Sequence, residues 1–582
     1  MKYPIIFLFS FFFSLFLIAC KETTTILSIN KTSIEFSAEG GSEFFTIETD
    51  APTWTMEHNN PDWLEISSTE GNGPKTMITL STKGRILTSQ STTLHIKSGN
   101  ATAEVLVSQA GSEYIYTLSV NAALSTFTEL AQTSTLSIKG DAPKWKASTH
   151  ADWIHLSETE GTTPKDIIIS IDQNNTGKER NDSILITAEA AKTFVVLLTQ
   201  KGPLYPSYNT NPIVPDANGM NRTAIQIAAE MNLGWNLGNA LEAIGGESSW
   251  GNAKATQRLI DSIADKGINA IRLPCSWNQY ANASTAKISD TWLARVKEVV
   301  DYCMNRNMYV LLNIHWDGGW LENNCIPAKQ YENNAKQKAF WEQIATHFRD
   351  YNDHLLFAGT NEPNVENATQ MSVLLSYEQT FIDAVRSTGG RNTYRTLIIQ
   401  GPATDIDKTN TLMKTLPTDP SPKRMMAEIH YYTPYQFCLM ESDASWGKMF
   451  YFWGSGFHHS GTVDGVDRNS TWGEEADMKT LFNKMKTQFV DKGIPVVLGE
   501  YCTLRRSTLA SEIQDLNYQS RAYFHQYATQ QAKNYGLIPF YWDNGGAGNL
   551  ASGIFNRASG AVSDQLTLTA LIQGAAEGNY PY

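Results

Sequence analysis

Hydrophobic and polar positions divide the chain into two regimes. Between residues 26 and 202 the apolar residues come in short runs of strand character. Phe45-Thr46-Ile47-Glu48 alternates, and Ile167-Ile168-Ile169-Ser170-Ile171 is nearly all β-branched, with Gly, Asn and Thr breaking one run from the next. From residue 222 onward, strand-length apolar runs alternate with stretches whose apolar residues recur at helical spacing. The runs are Met231–Trp235, Asn269–Arg272, Tyr309–Asn313, Leu355–Ala358, Thr396–Ile399, Met426–Ile429, Pro495–Leu498 and Ile538–Tyr541. Between them, Leu259, Ile260 and Ile263 share a face of a helix expected over Thr256–Lys266, and Val296, Val299 and Val300 share one over Trp292–Met304. Eight strand–helix units in one region predict an α/β TIM barrel, (β/α)8.

The first regime is a tandem repeat. Ala51-Pro52-Thr53-Trp54 returns as Ala142-Pro143-Lys144-Trp145, Asp62-Trp63 as Asp152-Trp153, Thr69-Glu70-Gly71 as Thr159-Glu160-Gly161, and Pro74-Lys75 as Pro164-Lys165. Gln109-Ala110-Gly111 closes one copy and Gln200-Lys201-Gly202 the other. Short strands over about 90 residues predict an all-β sandwich for each copy, with boundaries at 26–111 and 114–202. The paired tryptophans and the closing Gln-x-Gly resemble BACON modules, which sit between lipid anchors and catalytic domains of surface glycan-degrading proteins. That resemblance implies carbohydrate binding. The tryptophans also fit a core, and a spacer role is the preferred reading. Residues 203–221, with Pro203, Pro206, Pro212, Pro215 and four asparagines, are expected to form a semi-stiff linker to a catalytic domain over 222–582.

Lys2 followed by an apolar stretch from Ile5 to Ala19 has the pattern of a signal peptide, shorter than the roughly 20 residues of a membrane-spanning helix. It ends in Leu17-Ile18-Ala19-Cys20, which resembles a bacterial lipobox. The resemblance implies cleavage after residue 19, lipidation of Cys20, a lipidated N-terminus over 20–25, and attachment to the outer membrane or cell surface of a Gram-negative bacterium.

A net charge of −13 argues against nucleic acid as a partner. The five further cysteines, Cys275, Cys303, Cys325, Cys438 and Cys502, are widely spaced without a CxxC, so no zinc site is indicated. They read as buried structural residues, and their odd number leaves at least one thiol free or paired to another chain. No metal or nucleotide motif is present, and the expected chemistry needs no cofactor. A monomer is expected.

Barrel chemistry sits at the C-terminal ends of the strands. Those ends carry Asn236-Leu237-Gly238-Asn239, Arg272, Asn313-Ile314-His315-Trp316, Asn361-Glu362-Pro363, His430-Tyr431-Tyr432, Gly499-Glu500-Tyr501 and Trp542-Asp543-Asn544. Glu362 and Glu500 close strands 4 and 7, on facing parts of the rim. Such a pair suits glycoside hydrolysis, one carboxyl protonating the leaving oxygen and the other attacking the anomeric carbon. The acid must hold a proton while the nucleophile is ionised, so neighbours have to push their pKa values apart. Arg272 and Tyr432 are placed to favour an ionised Glu500.

Taken in order, Arg272-Leu-Pro, Ile-His315, Asn361-Glu362-Pro, His430-x-Tyr432, Gly-Glu500 and Trp542 resemble glycoside hydrolase family 5 of clan A. The Asn-Leu-Gly-Asn and Trp-Asp-Asn-Gly motifs are similar to its subfamily 4, which holds endoglucanases and xyloglucanases. The resemblance covers residues 223–582. It implies Glu362 as acid/base, Glu500 as nucleophile, Asn361 on the sugar 2-hydroxyl, His315, His430 and Tyr432 as orienting groups, and Trp542 as the sugar platform at the cleavage point. Many relatives carry His-His after strand 3. Here Trp316 takes the second place and leaves His315 alone in that role. Trp316, Asn239 and Trp320 are further substrate-binding candidates. The expected activity is retaining endo-hydrolysis of a β-1,4-glucan backbone. Xyloglucanase, mannanase and mixed-linkage glucanase are alternatives of the same fold, and a glycan-binding surface lipoprotein without catalysis is the alternative of a different class.

Overall fold

The computed structural model describes residues 24–582 except 60, 85, 87, 113–115, 175, 189 and 190. The signal peptide and Cys20 lie outside the described residues. The chain divides into two compact units after Gly202.

Both repeats form β-sandwiches. In the first, a four-stranded sheet (Leu27–Ile29, Gly41–Thr49, Lys75–Thr82, Leu64–Ile66) faces a five-stranded sheet (Ser33–Phe36, Ala101–Gln109, Gln90–Ser98, Thr53–Glu57, Glu70–Asn72). The second copies this order, with sheets of four strands (Leu118–Ala122, Gln132–Gly140, Lys165–Ile171, Ile154–Leu156) and five (Thr126–Phe127, Phe194–Gln200, Arg180–Ala188, Trp145–Thr149, Glu160–Gly161). The inward positions of the alternating runs supply the cores: Phe45, Ile47, Ile78, Leu94 and Val105 in one, Leu136, Ile138, Ile167, Ile169 and Ile184 in the other.

The repeated motifs have packing reasons. Trp54 and Trp145 are each 1% exposed and fill equivalent core positions. A Cβ on Gly71 would lie 2.7 Å from the Trp54 ring, and one on Gly161 would lie 2.7 Å from that of Trp145, so each Thr-Glu-Gly ends in glycine to admit an indole. The closing glutamines are buried. Gln109 Nε2 donates to the carbonyls of Ala38 and Gly84, and Gln200 Nε2 donates to those of Glu129, Leu130 and Asp172, which satisfies loop carbonyls that would otherwise be stranded. Trp63 and Trp153 are only half-buried, with the Arg180 guanidinium 4.4 Å from the Trp153 ring centroid.

In the second unit, strands β1 (Gly234–Leu237), β2 (Ala270–Leu273), β3 (Tyr309–Asn313), β4 (Leu355–Ala358), β5 (Leu397–Gln400), β6 (Met425–His430), β7 (Val496–Tyr501) and β8 (Leu537–Asp543) close into a parallel barrel, β8 pairing with β1. All eight expected strands are present within a few residues of their expected limits. The two helices run over Gln257–Ala264 and Asp290–Met304, with the six named apolar residues buried. One cluster fills the barrel interior (Leu311, Leu356, Ile398, Met426, Val497, Ile538) and includes Ile227 and Met231 of the short helix Ala224–Glu230 and its cap, which pack with it. A second, larger cluster lies between strands and surrounding helices. All five described cysteines are buried and unpaired.

Residues 203–221 differ from the expected linker, because they belong to the barrel unit. The Ser207 hydroxyl and the backbone N–H groups of Tyr208 and Asn209 all donate to Glu342 Oε2, at 3.0, 2.6 and 3.1 Å. Asn209 Nδ2 donates to the Ser387 carbonyl, Ile213 pairs with Gly389, and Met220 is buried. Prolines remove backbone donors, but several of the donors that remain here, those of Tyr208, Asn209, Ile213 and Asp216, find acceptors on the barrel, and composition alone does not show that.

Candidate active site

The rim of the barrel gathers the strand-end residues into one hydrogen-bonded set. Arg272, fully buried at the end of β2, is its centre. Its Nη1 donates to Glu500 Oε1 at 2.8 Å and to Asn236 Oδ1 at 3.0 Å, and its Nη2 donates to Asn361 Oδ1 at 2.7 Å. Tyr432 donates its hydroxyl to the other oxygen of Glu500, at 2.8 Å. Glu500 is thus gripped on both oxygens, by a cation and a phenol.

Glu362, at the end of β4, makes a 2.6 Å bond with His430 Nδ1, while the same nitrogen lies 3.7 Å from Glu500 Oε2. One oxygen from each glutamate and a ring nitrogen of His430 all lie within 4.8 Å of one another. The Glu362 side chain is 42% exposed and that of Glu500 only 7%, so one carboxyl faces the opening and the other sits deeper. Local backbone shapes this meeting. The β6–β7 ladder shifts register between Ile429 and His430, which sets His430 opposite Glu500. Such an irregularity re-aims a side chain beside a site.

Charge distribution follows the geometry. Burial opposes protonation of His430, but the carboxylates of Glu500, Glu362 and Glu428 outweigh it and push its pKa up to about 10. Burial likewise pushes Glu362 upward, yet the bond to His430 and the charges of His430 and Arg272 prevail and leave it below the usual carboxylate range. In the free site both directions favour the proton on His430 over Glu362, whereas the acid role expected of Glu362 needs it there only as the leaving oxygen departs. Burial holds His315 well below its ordinary value, with Arg272 and His430 adding to the effect, so its imidazole is neutral.

His315 meets Asn313 Nδ2 at 3.2 Å through Nδ1 and lies nearly parallel to Trp542, 5.8 Å between ring centroids and 8° between planes. A Cβ on Gly238 would come 2.9 Å from the Trp542 ring, so glycine there allows the β1 loop to approach it. Trp316 is 42% exposed beside His315. Asn239 takes a left-handed backbone, φ +56°. Its described bonds run through its backbone, N–H to Glu242 and carbonyl to Asn252 Nδ2, so it shapes the β1 loop. Trp320 departs from its expected role. It is 9% exposed, packs edge-on against Phe340 under Lys336, and donates Nε1 to Asp317, so its ring belongs to the core.

Four members of the network were not among the candidates. Asn236 accepts from Arg272. Glu322 Oε1 accepts the Glu362 backbone N–H at 2.6 Å, and burial raises its pKa to about 7. Glu428 and Gln400, on β6 and β5, lie beneath Arg272 and His430 and are bonded to each other at 2.6 Å. The signal was present: Asn236 and Glu428 interrupt apolar strands in which a polar side chain needs a partner.

Comparison with known proteins agrees with this geometry. The model of Cellulase (glycosyl hydrolase family 5) matches residues 236–548, a viral BACON domain model matches 26–112, and a BACON model of an N-terminal binding domain matches 144–201. The chain is 33% identical over 458 residues to a xyloglucan-specific endo-beta-1,4-glucanase of Bacteroides ovatus, covering 76% of this chain and 88% of that protein. A solved Bacteroides ovatus GH5 xyloglucanase in complex with a XXXG heptasaccharide aligns with TM-score 0.58 at 30% identity, over 79% of this chain and all of the other. A GH5-4 broad specificity endoglucanase from Bacteroides salanitronis aligns with TM-score 0.55 at 32% identity, over 62% of this chain and 97% of the other. With its paired rim glutamates, its closed barrel and these matches, the chain belongs to glycoside hydrolase family 5.

Proposed function

We propose that the protein is a retaining endo-β-1,4-glucanase in which Glu500 attacks the anomeric carbon and Glu362 protonates the leaving oxygen and then activates water. The observation that carries this reading is that one oxygen of Glu362 lies within 4.8 Å of one oxygen of Glu500, short of the separation that admits an attacking water between them. Retaining glycosidases hold their carboxyls about 5–5.5 Å apart, whereas inverting enzymes need roughly 6.5–9.5 Å for a water. The ion pair with Arg272 and the Tyr432 bond hold both oxygens of Glu500 and keep it pointed, as a nucleophile requires. Asn361, fixed by Arg272, is placed for the 2-hydroxyl, and Trp542 for the sugar face.

Xyloglucan is the second backbone to test, because the Bacteroides ovatus relative that aligns through both N-terminal and barrel regions is a xyloglucanase. Product profiles on xyloglucan, carboxymethyl-cellulose, glucomannan and mixed-linkage glucan distinguish these substrates. Loss of hydrolysis in both Glu362→Gln and Glu500→Gln is expected. Wild-type protein that cleaves none of the four glycans, or full activity in both variants, would sink the enzymatic reading and leave glycan binding.

The chain is exported and held to a membrane surface by lipid on Cys20, supported by Leu17-Ile18-Ala19-Cys20. None of the described helices is long and apolar enough to cross a membrane. Palmitate labelling that persists in Cys20→Ser would refute the anchor.

A further inference from the structure

Glu428 is fully buried and has no direct contact with the opening, yet it touches both groups that organise the catalytic pair. Arg272 spends Nη1 and Nη2 on Glu500, Asn236 and Asn361, and its remaining nitrogen, Nε, lies 2.8 Å from Glu428 Oε1. His430 spends Nδ1 on Glu362, and its remaining nitrogen, Nε2, lies 3.4 Å from the same Oε1. The second oxygen of Glu428 accepts from Gln400 Nε2. Gln400 Oε1 in turn accepts the backbone N–H of Thr360, two residues before Glu362, at 2.9 Å. Space for this carboxylate is made by Gly499, where a Cβ would fall 2.0 Å from Glu428 Oε1. The glycine preceding Glu500 is therefore the room in which Glu428 sits.

We propose that Glu428 is a positioning residue that holds one proton on His430 Nε2, so that the proton between His430 Nδ1 and Glu362 Oε1 is the one delivered to the leaving oxygen. This rests on the reading of Glu362 as acid/base. With Nε2–H committed to Glu428, a neutral His430 presents a bare Nδ1, and a 2.6 Å contact with Glu362 then requires one proton between them. In glycosylation the Nδ1–H bond breaks as an O–H bond forms on Glu362. That O–H bond breaks as the leaving oxygen takes the proton. The glycosidic electron pair leaves with that oxygen, and a Glu500 lone pair forms the new bond to the anomeric carbon. In the second half the water oxygen bonds to the anomeric carbon as the bond to Glu500 breaks and its electron pair returns to the Glu500 oxygen, while the water's proton goes to Glu362 and so to Nδ1.

The groups facing His430 fit this division. Carboxylates approach from β4 (Glu362), β6 (Glu428) and β7 (Glu500), and the Arg272 cation from β2. Neutral His315 lies on the β3 side, and the Tyr432 hydroxyl is bound to Glu500. Arginine cannot give up its proton, and the further carboxyl that feels Glu428, buried Glu378, bonds the Gln400 backbone N–H rather than His430, so the proton shared at 2.6 Å is that of the Glu362–His430 pair.

Two measurements test it. In the full-length protein labelled with 15N-histidine, the His430 signal, assigned by its loss in His430→Asn, is expected to show Nε2 protonated throughout the pH range of folding, with only Nδ1 changing. A neutral tautomer with bare Nε2 overturns the proposal. This reading needs no substrate, so it separates failure here from failure of the hydrolase reading. In Glu428→Gln, loss of the nearby negative charge is expected to move the alkaline limb of kcat/KM on xyloglucan or carboxymethyl-cellulose to lower pH by about one unit or more, with kcat falling more than KM changes. Glu428→Asp, which keeps the charge, is expected to return the limb toward wild type. An unmoved limb in Glu428→Gln with a uniform loss at every pH would show a packing role only and overturn the proposal.

Discussion

The sandwiches and the barrel bury polar groups in opposite ways. In the described residues of the sandwiches, the buried polar side chains are Thr49, Thr92, Ser98, Gln109, Ser134, Asn174 and Gln200, all uncharged. The barrel unit buries Glu242, Arg272, Asp317, Glu322, Glu378, Arg395, Glu428, His430 and Glu500, among others. A buried charge costs several kcal/mol unless it is paired and hydrogen-bonded, and a fold made only for stability has little use for it. The sandwiches use amides and hydroxyls to close loops over an apolar core. The barrel rim spends folding free energy on charge held away from water, where electrostatic interactions are strongest. The contrast separates a region shaped by packing from a region shaped by chemistry.

That contrast can be broken by mutation, and the largest effect is expected at the nucleophile. Glu500→Gln should lower kcat by about 10⁴-fold or more with a near wild-type fold by circular dichroism, since a neutral isostere removes charge and little volume. In the sandwich the order reverses. Trp145→Ala should destabilise its sandwich by about 3–5 kcal/mol, measured by denaturant unfolding, and leave kcat on soluble glucan unchanged. Loss of kcat in that variant would show that the division of labour is wrong. Gly161→Ala forces a methyl toward the Trp145 ring and should cost about 1–3 kcal/mol by overpacking, again without a kinetic effect. The last effect concerns pH. The raised pKa of His430 adds stability that is complete below about 6.5 and is lost as the pH climbs through about 10. Melting temperature should therefore fall across that window in the wild type and fall less in His430→Asn. An equal slope in both would remove His430 from the account of charge in the rim.

Much of this was legible in the chain because it is periodic. The eight barrel strands are short, mainly apolar runs, and the repeat announces itself by its tryptophans and closing glutamines. Glu362 and Glu500 were readable because strand ends of a barrel converge on one rim. What was not legible depends on who meets whom. Glu428 looks like an ordinary interruption of a strand until the fold brings β2, β5 and β7 around it. Trp320 looks like a binding residue until Phe340 and Lys336 enclose it. The upward push on the His430 pKa comes from three carboxylates that arrive from three separate strands, which no local pattern encodes.

The strap over residues 203–221 has a practical consequence for anyone preparing the enzyme by itself. A fragment begun at Thr223 would look safe by domain homology, since the family match starts at residue 236. It would strip Glu342 of the three donors supplied by Ser207, Tyr208 and Asn209, and abandon a carboxylate whose side chain is only 3% exposed. The cut belongs before Pro203, where the chain first joins the barrel unit.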